Sequence, residues 1–168
     1  MYSVFSKEIN SFFSSLIAYI VISVFLISIG LFMWVFADTS VLDYNFATLD
    51  QLFSIAPLVF LFLIPAITMR SFAEEKAKGT IEFLYTKPLT NWDVVIGKFI
   101  ANFTLVIFAL LPTLIYYYSV YQLGSPIGNL DSGAIVGSYI GLFFLSGAFV
   151  AIGMFASTLT ENQIVAFI

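Results

Sequence analysis

The 168-residue chain contains no cysteine and no histidine. The first absence excludes disulfides and thiolate metal sites. The second excludes imidazole ligation of haem or metal, and histidine acid–base chemistry. Charge is scarce as well: Asp, Glu, Lys and Arg make up 10% of the residues, and only six are cationic. What fills the space is apolar. Hydrophobic residues account for 61% of the chain and mean hydropathy is +1.03, which excludes an ordinary soluble domain. Residues 9–37, 51–69, 99–130 and 132–160 carry no Asp, Glu, Lys or Arg. A membrane-crossing helix takes about 20 mostly apolar residues, so each stretch holds one. A spanning barrel would alternate apolar and polar residues over about 10-residue segments; residues 58–64 and 148–155 are apolar without alternation. The expected class is therefore all-α and polytopic.

The few cations are clustered. Arg70, Lys76, Lys78, Lys87 and Lys98 lie within residues 70–98, and Lys7 is near the amino end. Short loops rich in Lys and Arg stay on the cytoplasmic side whatever their acid count, so placement says more than the net charge of −4. The amino end and residues 70–98 are expected inside. The acidic loop with Asp38, Asp43 and Asp50 is expected outside. Those acids lack the twelve-residue calcium loop with its glycine and terminal glutamate, so no metal site is expected there.

The spans are predicted at residues 14–36, 52–69, 99–122 and 133–158, with the start of a fifth at 163–168. The first is a retained helix rather than a signal peptide, because it is too long, lacks a cleavage site and is followed by further spans. Residues 1–11 predict a short amphipathic helix on the membrane surface. Trp34, Tyr116, Tyr117, Tyr118 and Tyr121 are expected at the outer interface. Pro57, Pro65 and Pro112 predict bends. Gly133, Gly137 and Gly141, spaced by four, predict a ridge where another helix packs closely. Thr160 and Gln163 have capping-box spacing. The chain stops six residues into a fifth apolar helix, and the expectation is that it is C-terminally incomplete.

The segment 70–98 holds the most information. Glu74 and Lys78 stand in the favourable order for a helical ion pair. Gly79 weakens the helix and Thr80 is placed to cap another. Ile81, Leu84 and Tyr85 share an apolar face; Lys87 and Pro88 end that piece. Thr90 and Asp93 are spaced to cap the helix leading into the third span. The physical pattern is an amphipathic connector between two spans. It serves equally as a docking surface for a partner or as an anchor in the headgroups.

Glu74, Glu75, Lys76, Gly79, Thr80, Glu82 and Leu84, followed by Thr86, Pro88, Leu89 and Thr90, resemble the E-E-K-x-x-G-T-x-E-x-L and T-x-P-[LV]-[ST] pattern of ABC transporter permeases of the second, export-type class. The similarity extends to the lead-in at Lys7 and Glu8 and to the turn at residues 157–163. Within the class the chain is most similar to gliding-motility-associated permease subunits of Bacteroidota. The resemblance implies a six-span permease of the inner membrane with a cytoplasmic amino terminus, four complete spans and the start of a fifth being present here. It implies a coupling helix near Thr80–Thr86 that docks on a cytoplasmic ABC ATPase, with Glu75, Lys76, Lys78, Gly79, Thr80, Glu82 and Leu84 as the coupling residues. A second permease copy or a paralogue would complete the assembly in the bilayer, and nucleic acid is not an expected partner. The chain itself has no G-x-x-x-x-G-K-[ST] loop: Gly97 and Lys98 are followed by Phe99. It is therefore not expected to be an enzyme or to bind a cofactor; ATP and Mg belong to the partner. The alternative is a non-transporting assembly or anchor subunit of a motility or secretion apparatus.

Overall fold

A computed structural model describes residues 1–37, 39–43, 46–80 and 90–168. Among them the chain is helical and has no strand. In order come α1 (Tyr2–Phe13), α2 (Leu16–Trp34), α3 (Asp50–Thr68), α4 (Arg70–Ala77), α5 (Asn91–Leu110), a single 3₁₀ turn (Leu111–Thr113), α6 (Leu114–Leu123), α7 (Ser132–Leu159) and α8 (Gln163–Phe167). Four helical runs are long and apolar enough to cross a membrane: Leu16–Trp34, Asp50–Ala77, Asn91–Leu123 and Ser132–Leu159.

Each run divides its apolar surface between neighbours and what must be lipid. On α2, Ala18, Phe25, Ile29 and Met33 are buried, while Tyr19, Ile20, Val24 and Ile27 point outward. A soluble protein would not leave such a face uncovered; a bilayer accepts it. α3 lies between α2 and α7 and buries Leu52, Ala56, Phe60, Leu63, Ile64 and Ile67. Phe25 stacks on Phe60 with ring centres 5.8 Å apart.

The helix ends follow local chemistry. Thr90 Oγ1 accepts from Asp93 N–H and Asp93 Oδ2 accepts from Thr90 N–H, both at 3.2 Å. This is the reciprocal cap expected from their spacing. Asp131 Oδ1 accepts from the N–H groups of Gly133 and Ala134, starting α7. The cap expected of Thr160 and Gln163 does not form. Asn162 caps α8 instead, its Oδ1 accepting from Ile164 N–H at 2.9 Å. Thr160 Oγ1 accepts from Asn162 N–H and holds the turn. At α4 the chain closes through the paired bonds of a Schellman motif: Thr80 N–H to Glu75 O at 2.9 Å and Gly79 N–H to Lys76 O at 3.0 Å. Gly79 has φ +67°, a left-handed position suited to a residue without a Cβ. The Thr80 hydroxyl donates back to Glu75 O, adding to the closure of α4; the helix expected to follow Thr80 lies outside the described residues.

The prolines behave differently from one another. α3 continues through both Pro57 and Pro65 and gives way only at Met69. At Pro112, by contrast, the third run tightens into its 3₁₀ turn. There the Thr113 hydroxyl donates to Leu110 O at 2.6 Å and meets Tyr139 OH at 3.0 Å, supplying polar partners where the regular helix is interrupted.

α1 packs on protein. Val4 and Phe12 are buried, Phe13 meets Phe108 edge-on at 5.7 Å, and Gly97 admits the start of α1 against α5. A Cβ at Gly97 would lie 3.1 Å from Val4 Cβ and 3.2 Å from Met1 O. The amphipathic helix expected from residues 1–11 forms, and part of its apolar side is covered by the bundle. A still closer helix–helix approach occurs at Gly153, where an added Cβ would overlap Thr68 Oγ1. Gly137 and Gly141 face open space, and Gly133 has only Asp131 Oδ1 near it, at 3.4 Å.

Candidate functional site

The basic end of the bundle gathers α1, α4, the first turns of α5 and the last turn of α7. Along α1, Val4, Glu8 and Phe12 recur every fourth residue, placing a carboxylate on the buried side of the helix. On α5, Lys98 stands among Gly97, Ala101, Asn102 and Leu105 on the buried face. An acid and a base, each alone on a covered stripe, require partners.

They find one another. Lys98 is 0% exposed. Its ammonium donates to Glu8 Oε1 at 2.8 Å and to Ser71 O at 2.6 Å, and lies 3.0 Å from Glu75 Oε2. It also sits 5.0 Å above the Phe72 ring, a cation–π position. Glu75 is 9% exposed at its side chain. Its Oε1 accepts from Lys7, which lies 3.5 Å from Glu8 as well. Two ammonium groups and two carboxylates thus form a neutral cluster joining α1, α4 and α5. Burial alone would lower the Lys7 pKa, but the Glu75 hydrogen bond and the charges of Glu8 and Glu75 outweigh it and raise the pKa. Asn102 completes the arrangement by donating to Ser71 Oγ at 2.6 Å.

A second set of contacts ties α4 to α7. Ser157 Oγ accepts from the N–H groups of Phe72 and Ala73 and donates to Met69 O, all three at 3.0 Å. One hydroxyl thereby uses its whole capacity of one donor and two acceptors across the junction of α3 and α4. Lys76 Nζ donates to Thr158 O at 2.5 Å, a cation at the negative end of α7. On the outer side of α4, Arg70 grips Glu74 with Nε and Nη2 at 2.7 and 3.2 Å and reaches Ser15 Oγ at 3.0 Å. Lys78 adds the expected i,i+4 pair to Glu74 at 2.6 Å.

Ser157→Ala should leave two N–H groups and one carbonyl at the buried junction without their shared partner. The expected cost is about 1–3 kcal/mol, read as equilibrium unfolding in mixed micelles. Amide exchange at Phe72 and Ala73 should rise while the middle of α3 stays protected.

Of the residues assigned to coupling, Glu75 is the buried member of the ion cluster, Lys76 holds α7, Lys78 pairs with Glu74, and Gly79 and Thr80 close α4. Glu82 and Leu84 lie outside the described residues. The sequence reading found no signal for Ser71 at this end, marked Asn102 only as a polar residue within a span and Ser157 only as part of the turn at residues 157–163, and assigned no site role to Glu8 or Lys98. The lone charge on each apolar stripe was the signal for the latter pair. A serine inside an apolar helix carries no such signal.

Four apolar helices with a charged, interlocked end define a multi-pass membrane protein with one specialised face. The family model described as "ABC-2 family transporter protein" matches residues 3–168, and the chain belongs to that family. It is a permease-type membrane subunit. No curated protein and no solved structure matches it.

Proposed function

We propose that this chain is the membrane subunit of an ATP-driven export complex in the inner membrane, with its basic end in the cytoplasm. A separate ABC ATPase would dock at the segment after Gly79, including Glu82 and Leu84, and hydrolyse ATP with Mg. The observation that carries the reading is the fully buried Lys98, bonded at once to α1 and α4 and borne by the third run. Force applied beyond the Gly79 turn reaches α4 first. The ion cluster then passes it to α1 and α5, while Ser157 and Lys76 pass it to α7. Arg70, through Ser15 at the cap of α2, adds the first run, so that all four are linked to one short helix. The open ridge of Gly133, Gly137 and Gly141 is available to a helix of a second permease copy or a paralogue. The link to gliding motility rests on the motif resemblance alone.

The test is co-purification of the natively expressed full-length protein in mild detergents, with bound polypeptides identified. A P-loop ATPase should be recovered, and Glu82→Lys should release it. Gly79→Leu should weaken its retention, because φ +67° strains a branched side chain. Gly79→Asn should retain it, since Asn tolerates that conformation. Absence of any ATPase in several detergents would overturn the proposal and favour the assembly-subunit alternative.

A further inference from the structure

The end of the bundle opposite the charged cluster contains a cavity unrelated to coupling. It lies between the connection from α2 to α3 and the end of α6. Its main chamber has a volume of about 470 Å³ and is walled by Val41, Phe46, Thr48, Val120, Leu123 and Asn129. Val41, Phe46 and Thr48 also wall an adjoining chamber of about 330 Å³ that reaches Asp50 and Gln51. The main chamber falls within the size range of small-molecule sites, about 300–1,000 Å³. Its walls combine apolar side chains with a few polar groups, as such sites do. The Thr48 hydroxyl is occupied, accepting from Asp50 N–H at 3.0 Å. Among the described residues, the carboxylate of Asp50 takes part in no hydrogen bond or ion pair.

The charge around this cavity is of one sign. No Lys or Arg occurs in residues 8–69 or 99–168, and the formal charges of the two connections at this end are Asp38, Asp43, Asp50 and Asp131. An anionic ligand would approach against that field. A neutral ligand filling the smaller chamber would cover Asp50 and remove its water without replacement, which is unfavourable. A cation there restores the lost solvation. The apolar walls ask for an apolar body attached to that cation.

We propose that this cavity binds a cationic amphiphile, with its apolar body against Phe46, Val120 and Leu123 and its cation at Asp50. The site belongs to this chain alone and needs no ATPase, so its failure would leave the coupling proposal standing.

The test uses the full chain in phosphatidylcholine nanodiscs and two probes of the same shape and opposite charge, tetraphenylphosphonium and tetraphenylborate. Binding is measured by equilibrium dialysis, with empty discs subtracted. The cation should bind saturably and the anion should not. Asp50→Asn should weaken cation binding at least tenfold, as should Leu123→Trp, which fills the main chamber. Phe46→Ala, at an exposed wall position, should also weaken it and guards against misfolding of the tryptophan variant. Asp131→Asn removes a charge from the same end while keeping a residue able to cap α7, and should change binding less than twofold. Equal uptake of both probes would overturn the proposal by showing partitioning only. A loss in Asp131→Asn as large as in Asp50→Asn would overturn it in favour of a diffuse field. Unchanged binding in both Leu123→Trp and Phe46→Ala would place the cation elsewhere.

Discussion

Lys98→Met is expected to destabilise the protein by about 3–5 kcal/mol, the range for breaking a buried ion pair from one side. The ammonium is wholly buried and serves Glu8, Glu75 and the Ser71 carbonyl together. Methionine nearly matches its volume, so the loss is electrostatic rather than a cavity. What remains is a pair of largely covered carboxylates sharing only Lys7, which is 55% exposed and held by a flexible chain. Neutralising those acids should reverse much of the effect: Lys98→Met combined with Glu8→Gln and Glu75→Gln should recover at least half of the lost stability. Residues in one network are not additive, and that departure from additivity is the signature sought. Lys78→Met is the matched control. Lys78 is 63% exposed, and its partner Glu74 keeps both bonds from Arg70, so its change should stay within about 0.5 kcal/mol. Unfolding in mixed micelles measures all three variants. Equal losses for Lys98→Met and Lys78→Met would refute the cluster's structural role.

The second large effect distinguishes glycines that look alike in sequence. Gly153→Ala should cost about 1–3 kcal/mol as an overpacked contact, and Gly153→Leu should prevent α3 and α7 from closing. The obstacle at Gly153 is Thr68 Oγ1, which donates to Ile64 O at 2.9 Å and belongs to a side chain with no exposed surface. It has little room to yield. Thr68→Ala should partly rescue Gly153→Ala by removing that oxygen. Gly137→Leu should leave the folded chain's stability nearly unchanged, because nothing lies within 4 Å of its added Cβ. Any defect it shows should instead be loss of association with another membrane subunit. Folded yield and unfolding midpoint for Gly153→Leu and Gly137→Leu read the contrast directly. Similar values for the two would contradict the helix packing described here.

Sequence alone determined the class. Long charge-free runs require helices in lipid, because an unpaired backbone polar group in hydrocarbon costs several kcal/mol and a helix pairs its own. Local caps were legible where one side chain and the next turn suffice, as at Thr90 and Asp93. The clustering of cations marked the specialised end, and the motif around Gly79 pointed to the permease family to which the chain belongs. Only the tertiary structure decided which helix faces meet. It brought Glu8, Glu75 and Lys98 together across separations of 23 to 90 residues, set Ser157 across the α3–α4 junction, and made Gly153 rather than Gly137 a tight contact within the chain. Apolar helices in this protein show weak one-sidedness, because lipid and protein interior are similarly apolar. The pattern that assigns a buried face in water is therefore largely erased, and packing has to be decided by shape and by the few polar groups that must find partners.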